Sequence, residues 1–188
     1  MDLQKRNILL VGYRGTGKSS VGKRLAGVLG MGFLDMDRLI AEEEGFSIAR
    51  IVQEKGWPYF RMQEKQLLQR LSCNSGQVIA TGGGVILDQE NRSLLKKMGV
   101  VIWLTADIDV TVERLKTDPI GAEQRPTFSE MDLHEETGLI LKERMPLYEE
   151  VSDFTLDTSD LSIGETVDEI VGIIHKEMKE RRKNEQKR

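Results

Sequence analysis

Cysteine and histidine are scarce in this chain, and their scarcity argues against a site built on a catalytic thiol and against one built on histidine-bound metal. Cys73 is the one cysteine among 188 residues, so no intrachain disulfide is possible and we expect a reducing, cytoplasmic setting. A lone cysteine near a helix end is more often a packing residue than a catalytic thiol, and we expect packing here. The two histidines, His134 and His175, lack metal-ligand spacing and stand in charged surroundings, so we expect both at the surface.

The chain also lacks an apolar run of membrane-spanning length and an excess of positive charge. Residues 1–6 lead directly into the first predicted strand, so the sequence predicts neither a signal peptide nor a spanning helix. The net charge of −4 and the pI near 5.4 argue against a nucleic-acid binder, which usually presents a basic face. We therefore expect neither nucleic acid nor membrane as a partner.

No linker divides residues 1–175, and this length allows one domain with a substantial core. The tail, residues 176–188, interleaves basic and acidic side chains and contains no aromatic residue. Such a run is typical of a solvated helix end that frays, rather than of an arm that binds nucleic acid or membrane.

Short apolar runs alternate with helical periodicity along the whole domain. Strands are predicted at residues 8–11, 32–35, 77–80, 100–104 and 154–157. A helix is predicted after the first strand, because Val21, Leu25, Val28 and Leu29 recur at helical spacing. Further helices are predicted at residues 37–73 with breaks near Gly45 and Gly56, 88–98, 107–116, 132–150 and from 162 onward. This alternation predicts an α/β fold of three layers, α/β/α, around a central five-stranded parallel sheet. Ligands of such sheets bind beyond the C-terminal ends of the strands.

The most specific motif follows the first predicted strand. Residues 12–19 read Gly-Tyr-Arg-Gly-Thr-Gly-Lys-Ser and fit the phosphate-binding pattern G-x-x-x-x-G-K-S/T. The glycines let backbone N–H groups converge on phosphate oxygens, and the following helix N-terminus adds partial positive charge. Lys18 can reach the β- and γ-phosphates, and the Ser19 hydroxyl can ligate Mg²⁺. The motif predicts binding of a nucleoside triphosphate by Gly12, Arg14, Gly15, Thr16, Gly17, Lys18, Ser19 and Ser20.

Three further groups follow predicted strands or lie on predicted helices. Asp35 and Asp37 end the second strand, where alternation would point both carboxylates to one side, toward Mg²⁺ and an acceptor hydroxyl. Arg61 and Arg144 lie on two helices, and two converging guanidinium groups would bind one anion by charge-assisted hydrogen bonds. Either arginine alone is more often a surface salt-bridge partner.

Residues 117–131 form a long polar stretch without periodicity that includes Gly121 and two prolines. Loops of this length in a compact domain are often functional, and many are lids over a site. The stretch contains Arg125 directly before Pro126, and we expect it to be a lid that delivers the arginine.

Together these segments resemble the shikimate kinase family over about residues 7–175. The matching segments occur in the family's order, at residues 12–19, 35–37, 44–48, 60–61, 82–84, 125–126 and 144–148. The resemblance implies the P-loop kinase fold and the transfer of the γ-phosphoryl group of ATP to the 3-hydroxyl of shikimate, a step of the chorismate pathway. It also implies ATP and Mg²⁺ as cofactors, shikimate as the small-molecule substrate and a monomeric state.

The resemblance implies a role for each matching residue. Lys18 would hold the phosphates, Ser19 would ligate Mg²⁺, and Asp35 would act on Mg²⁺ through water. Asp37 would bind the hydroxyls of shikimate and accept the proton of the attacking one.

The remaining roles concern the substrate carboxylate and the transferring group. Arg61 and Arg144 would clamp the carboxylate of shikimate. Arg125 would neutralise charge on the phosphoryl group. The ring and its hydroxyls would approach Gly82, Gly83 and Gly84.

Several positions depart from the family pattern, and two of them concern ATP binding. Arg14 stands where small or apolar residues are common, so it either adds a phosphate contact or faces solvent. Lys116 lies near the position of an adenine-stacking arginine in many members, and residues 157–159 would form the other side of that pocket.

Two other functions remain open at this point. A gluconate or nucleoside monophosphate kinase shares the loop, the parallel sheet and a lid, although the Asp35–Asp37 pair and three consecutive glycines suit a hydroxylated ring better. A nucleotide-binding regulator without catalysis is disfavoured, because the metal ligand, the base and the anion clamp are all present.

Overall fold

One parallel sheet lies between two layers of helices in the computed structural model, which describes residues 6–118 and 132–185. The strands are β1 (Asn7–Val11), β2 (Gly32–Asp35), β3 (Gln77–Ala80), β4 (Gly99–Thr105) and β5 (Phe154–Asp157). The helices are α1 (Lys18–Leu29), α2 (Met36–Glu44), α3 (Ile48–Leu71), α4 (Gln89–Met98), α5 (Ile108–Thr117), α6 (Leu133–Val151) and α7 (Ile163–Glu185), with a short 3₁₀ helix at Val85–Leu87. The predicted α/β/α fold with a five-stranded sheet is confirmed within these residues.

The strand order is β2-β3-β1-β4-β5, and every neighbouring pair is parallel. β1 is central because its apolar run is buried on both faces. Ile8 is paired with Val78 on one side and Val100 on the other, so the three strands end at the same edge. The loop after β1 therefore opens at the C-terminal edge between β3 and β4, where ligands bind in folds of this kind.

Alternate residues of the strands supply two separate cores. Leu9, Ile79 and Val101 face the layer that contains α2, α3, α4 and α6. Leu10, Val78 and Ile102 face α1 and α7, whose Val167, Ile170 and Ile174 are buried there. Val171 of α7 is only partly buried. The two-sided packing fixes the sheet edge against which the site is built.

The structure differs from the sequence-based expectation at two places, and α7 continues to Glu185, into the charged tail of residues 176–188. α2 begins at Met36, so the strand alternation that was expected to point Asp35 and Asp37 to one side does not apply. Cys73 is exposed beyond the end of α3, so the prediction of a packing residue was wrong.

Other local predictions are confirmed. α2 ends at Gly45 with φ 72°, and Gly56 interrupts α3 with φ 82° and ψ 164°. His134 and His175 are both exposed. No helix within the described residues has the length and apolar character needed to cross a membrane.

Candidate active site

The phosphate loop is a tight turn between β1 and α1. Gly12, Gly15 and Gly17 have φ values of 145°, 81° and 85°, a region that L side chains rarely adopt. A Cβ atom at Gly12 would also collide with the carbonyl oxygen of Leu104 on β4. Only glycine therefore lets the loop fold back against the neighbouring strand and aim the start of α1 at the sheet edge.

Lys18 and Thr16 are fixed by the same backbone group within this loop. The Lys18 ammonium donates to the Tyr13 carbonyl oxygen at 2.7 Å, and the Thr16 hydroxyl donates to it at 2.8 Å. The lysine residue is only 8% exposed, whereas Ser19 in the first turn of α1 is exposed. A cation, a helix N-terminus and a hydroxyl thus meet at one place, which is the donor set that a polyphosphate requires.

A cavity of about 510 Å³ opens over this loop at the C-terminal edge of the sheet. Most of the predicted site residues line it: Arg14, Gly15, Thr16, Gly17, Lys18, Ser19, Ser20, Asp37, Arg61, Gly83, Gly84 and Arg144. Trp57, Phe60 and Glu64 from α3 also line it, as do Arg114 and Thr158. The phosphate loop and the predicted acid and arginines therefore share one cavity.

Three consecutive glycines after β3 bring the acid and the two arginines together. A Cβ atom at Gly82 would lie 2.7 Å from an Asp37 carboxylate oxygen, and one at Gly84 would collide with the Arg61 guanidinium. The Gly83 carbonyl oxygen accepts a hydrogen bond from Arg144 at 3.2 Å. The absence of side chains is what allows these three groups to surround one segment of backbone.

The same carbonyl of Gly83 accepts a second hydrogen bond, from the Tyr148 hydroxyl at 2.5 Å. Tyr148 is fully buried and stacks on Trp103 of β4, with ring centroids 5.5 Å apart. Burial raises the pKa of the Tyr148 hydroxyl, so it stays a neutral donor. Arg144, one helical turn earlier on α6, is thereby held at the sheet edge.

Glu64 is a functional candidate that the sequence reasoning did not identify. It is completely buried, forms an ion pair with Arg61 three residues earlier, and would collide with a side chain at Gly82. Burial raises the pKa of Glu64 to about 7, Asp37 also raises it, and Arg61 and Arg144 lower it. The i, i+3 spacing from Arg61 was the one available signal, but this spacing is common on exposed helix faces.

The two aspartates after β2 have different surroundings. The Asp35 carboxylate caps α2 by accepting a hydrogen bond from the Arg38 backbone N–H at 3.2 Å, and it does not line the cavity. Asp37, two residues later on α2, does line it. The start of the helix turns Asp37 toward the glycine segment, so the two carboxylates lie in different surroundings.

At the other end of the cavity, Arg114 of α5 lines the wall. Lys116 is exposed and does not line the cavity. Arg114 donates to the Thr158 hydroxyl at 3.0 Å and to its carbonyl oxygen at 2.6 Å. Thr158 in turn donates to the Thr105 carbonyl at 2.9 Å, which ties the loop after β5 to β4.

Among the residues that the structure describes, no group of three or more carboxylate, histidine or cysteine side chains could hold a metal ion. The exposed Ser19 hydroxyl beside Lys18 suits an ion bound chiefly through phosphate oxygens, which is how Mg²⁺ usually accompanies a nucleotide. Asp35 could take part only through water, because its carboxylate caps α2 outside the cavity.

The comparisons with known proteins agree with this arrangement. A family model described as shikimate kinase matches residues 14–175 of the chain. The chain belongs to the shikimate kinase family. It is therefore an ATP-dependent small-molecule kinase, and the resemblance predicted from the sequence is confirmed.

Individual shikimate kinases are similar over nearly the whole chain. The enzyme of Syntrophus aciditrophicus is 45% identical over 174 residues, which cover 88% of this chain and 89% of that protein. The structure titled as shikimate kinase from Acinetobacter baumannii in complex with shikimate superposes with a TM-score of 0.87 at 33% identity, covering 93% of this chain and 96% of that one. The structure of shikimate kinase from Aquifex aeolicus superposes with a TM-score of 0.76 at 30% identity, covering 90% of this chain and 96% of that one.

Besides Asp35 and Lys116, two predicted site residues of this kinase that the structure describes, Gly12 and Gly82, do not line the cavity. Glu64 and Asp37 leave no room for a side chain at Gly82. Arg125, and with it most of the predicted lid at 117–131, falls outside the described residues.

Proposed function

We propose that this kinase transfers the γ-phosphoryl group of ATP to the 3-hydroxyl of shikimate, giving shikimate 3-phosphate and ADP. One observation carries the proposal: Asp37, Arg61 and Arg144 lie against the glycine segment at 82–84, and all three line the same cavity as the phosphate loop. Phosphorylation of a hydroxy acid requires a site that binds the carboxylate of the substrate beside a site that binds the triphosphate.

Asp37 is the proposed general base. The attacking hydroxyl oxygen forms a bond to the γ-phosphorus, its proton passes to the Asp37 carboxylate, and the bond to the β-phosphate oxygen breaks to release ADP. Because phosphoryl transfer depends mainly on alignment and charge stabilisation, a single carboxylate at the acceptor is sufficient base. The position of Asp37 near Gly82 supports contact with the ring hydroxyls.

Arg61 and Arg144 are proposed to clamp the substrate carboxylate. They come from different helices, α3 and α6, and meet across Gly83 and Gly84. Two guanidinium groups can bind a carboxylate by several charge-assisted hydrogen bonds, which fix the ring as well as the charge. A phosphate of a nucleoside monophosphate would fit the same donors, so the acceptor has to be tested directly.

The nucleotide end is proposed to hold ATP between Lys18, the N–H groups of the phosphate loop and Arg114. When bound through Ser19, Mg²⁺ would neutralise charge on the β- and γ-phosphates. Arg14 is a further proposed phosphate contact, and Arg125 remains the proposed source of charge neutralisation from the lid.

The deciding experiment offers shikimate, gluconate and AMP separately in a coupled assay for ADP release. We expect ADP release with shikimate alone, and its loss in Lys18→Ala. A matched control is Lys23→Ala, which alters an exposed lysine on the same helix α1. Release with gluconate or AMP and none with shikimate would contradict the proposal, and no release with any acceptor would favour a silent nucleotide binder.

A further inference from the structure

Arg14 of the phosphate loop is joined to a residue that the proposed function leaves without a role. Its guanidinium forms an ion pair with Glu136 of α6, 122 residues away in sequence. The Arg14 Nε also donates to the Tyr13 hydroxyl at 3.0 Å, and Tyr13 is only 1% exposed. Two anchors on different elements therefore hold one guanidinium that lines the nucleotide end of the cavity.

The burial of Glu136 is what distinguishes it from its neighbours. α6 begins at Leu133, and acidic residues near a helix N-terminus are favoured by the helix dipole whether or not they contact anything. Glu135 fits that explanation, because it is exposed. Glu136 is only 4% exposed. Burying a carboxylate costs free energy because the group loses its hydration, and this cost has to be offset by a specific cation. The dipole does not explain that burial, whereas Arg14 does.

The ion pair acts on a side chain that is costly to order. A free arginine side chain loses rotamer entropy when it is fixed, and binding is tighter when that loss occurs before the ligand arrives. The Tyr13 carbonyl that holds Lys18 belongs to the same residue whose hydroxyl holds Arg14. The position of the guanidinium is thus set relative to the phosphate-binding lysine.

We infer that Glu136 is a positioning residue for the nucleotide: it holds Arg14 against the cavity wall where the phosphates of ATP bind. This rests on the proposed function, since it takes ATP to be the ligand of the phosphate loop. The same helix carries Arg144, so α6 contacts the phosphate loop through Glu136 and the acceptor end through Arg144. Glu136 acts on the nucleotide end of the cavity, and its loss leaves the acceptor end unchanged.

The test separates the reach of the side chain from its charge. Glu136→Asp keeps the charge but withdraws the carboxylate by one methylene, whereas Glu136→Gln keeps the reach and an acceptor oxygen but removes the charge. ATP affinity is measured by calorimetry, and shikimate affinity by Trp fluorescence, so neither readout depends on turnover. We expect the ATP Kd to rise about fivefold in Glu136→Asp and to stay within about twofold in Glu136→Gln. The shikimate Kd should be unchanged in both.

Two further arms make the result specific. In an Arg14→Ala background, neither change at Glu136 should alter the ATP Kd, because no guanidinium is left to position. Glu135→Asp, at the exposed neighbouring site, should leave ATP binding unchanged.

Several outcomes would overturn the inference. Tighter ATP binding in Glu136→Gln would mean that the carboxylate only repels phosphate, and equal weakening of shikimate binding would indicate a general defect of α6. An effect of Glu136→Asp that persists in the Arg14→Ala background would place the action elsewhere. If ATP binds as expected but shikimate is not phosphorylated, the proposed function fails while this inference stands.

Discussion

The Arg61 guanidinium carbon lies 4.9 Å from the centre of the Trp57 ring, so the proposed carboxylate clamp packs directly on an indole. The same carbon lies 5.3 Å from the centre of the Phe60 ring, and the guanidinium forms an ion pair with Glu64. Arg61 is therefore held by aromatic and ionic contacts before any substrate arrives. An arrangement fixed in advance reduces the entropy lost on binding, and it places a fluorescent side chain beside the acceptor.

Truncation of Arg61 should weaken shikimate binding by roughly 2–5 kcal/mol, because each charge-assisted hydrogen bond forms in a partly dry pocket. The affinity for shikimate is measured by titration with Trp57 fluorescence in Arg61→Ala, Arg61→Lys and Arg144→Ala. Lysine restores the charge but not the planar fork, so it should rescue poorly. Arg70→Ala, on the exposed part of the same helix, is the matched control.

The chain has two tryptophans, so the origin of the signal can be checked. The shikimate-dependent change should be lost in Trp57→Phe and kept in Trp103→Phe. Full shikimate affinity in both alanine variants would mean that the anion is held elsewhere.

Asp37→Asn should lower turnover by roughly 10²–10⁴-fold, because it keeps the shape of the side chain and removes the base. ATP affinity should change little, since Asp37 lies at the acceptor end near Gly82. Steady-state assays with each substrate varied in turn separate the two effects. Glu42→Gln alters an exposed carboxylate on the same helix and should behave as wild type, and near-full turnover of Asp37→Asn would disprove the base assignment.

Local sequence signals identified the fold because each strand and cap is specified by its own residues. A helix was predicted to begin at Asp88, for example, and the Asp88 carboxylate caps α4 by accepting hydrogen bonds from the backbone N–H groups of Glu90 and Asn91 at 2.8 and 3.0 Å. The phosphate loop is similar, since its glycines and lysine are contiguous in sequence. Signals of this kind need no knowledge of the tertiary structure.

Positions that depend on contacts distant in sequence were missed or assigned wrongly. Strand alternation was expected to point Asp35 and Asp37 to one side, but Asp35 caps α2 and the helix begins directly after it. Glu64 and Glu136 read as ordinary surface acids until the fold buries them against arginines. The prediction that Cys73 is a packing residue was wrong because it relied on the average burial of cysteine, and the fold leaves this particular residue exposed.

Gly82→Ala should impair shikimate binding strongly, because the new Cβ atom would meet both Glu64 and Asp37. Moving these side chains disturbs the ion pair with Arg61, so we expect at least about a tenfold loss of shikimate affinity together with lower stability. Gly172→Ala is the matched control, as it lies on α7 with open space around the Cβ position. That change should raise stability by about 0.5–1 kcal/mol in thermal unfolding and leave activity unchanged. An active, shikimate-binding Gly82→Ala enzyme would contradict the crowding at this residue.

The buried carboxyl of Glu64 should make stability depend on pH near neutrality. Its pKa is raised from 4.5 to about 7 by burial, so the folded state binds this proton more tightly than the unfolded chain does. The resulting stability is complete below pH 4.5 and is lost as the pH rises through 7. Urea unfolding between pH 4.5 and 8 should show wild type losing about 1–3 kcal/mol relative to Glu64→Gln across this range.

Glu54→Gln is the control for this measurement, since it removes an exposed carboxylate from the same helix α3. The difference in the free energy of unfolding between wild type and this control should not change with pH over the same pH range. A flat difference between wild type and Glu64→Gln would show that Glu64 stays ionised throughout, held by Arg61.

Arg114, and not Lys116, should support the base of the nucleotide. Arg114 lines the cavity and is fixed by two hydrogen bonds to Thr158, so its planar guanidinium is held where an aromatic base could stack on it. Arg114→Ala should raise the KM for ATP about tenfold and leave the KM for shikimate unchanged, because the acceptor end is formed by other helices. Lys116→Ala, two residues later and exposed, should match wild type.

Thr158→Val separates stacking from loop support. It removes the hydroxyl that accepts from Arg114 at 3.0 Å, while the carbonyl contact at 2.6 Å remains. Stacking by a held guanidinium predicts a small increase in the KM for ATP, about twofold, since one of two anchors is kept. The hydroxyl also donates a hydrogen bond to the Thr105 carbonyl oxygen. If Arg114 only supports this loop, Thr158→Val and Arg114→Ala should lower the melting temperature equally. Neither variant should then change the KM for ATP. Measured together, the KM for ATP and the melting temperature of the two variants decide whether Arg114 contacts the nucleotide or only braces the loop after β5.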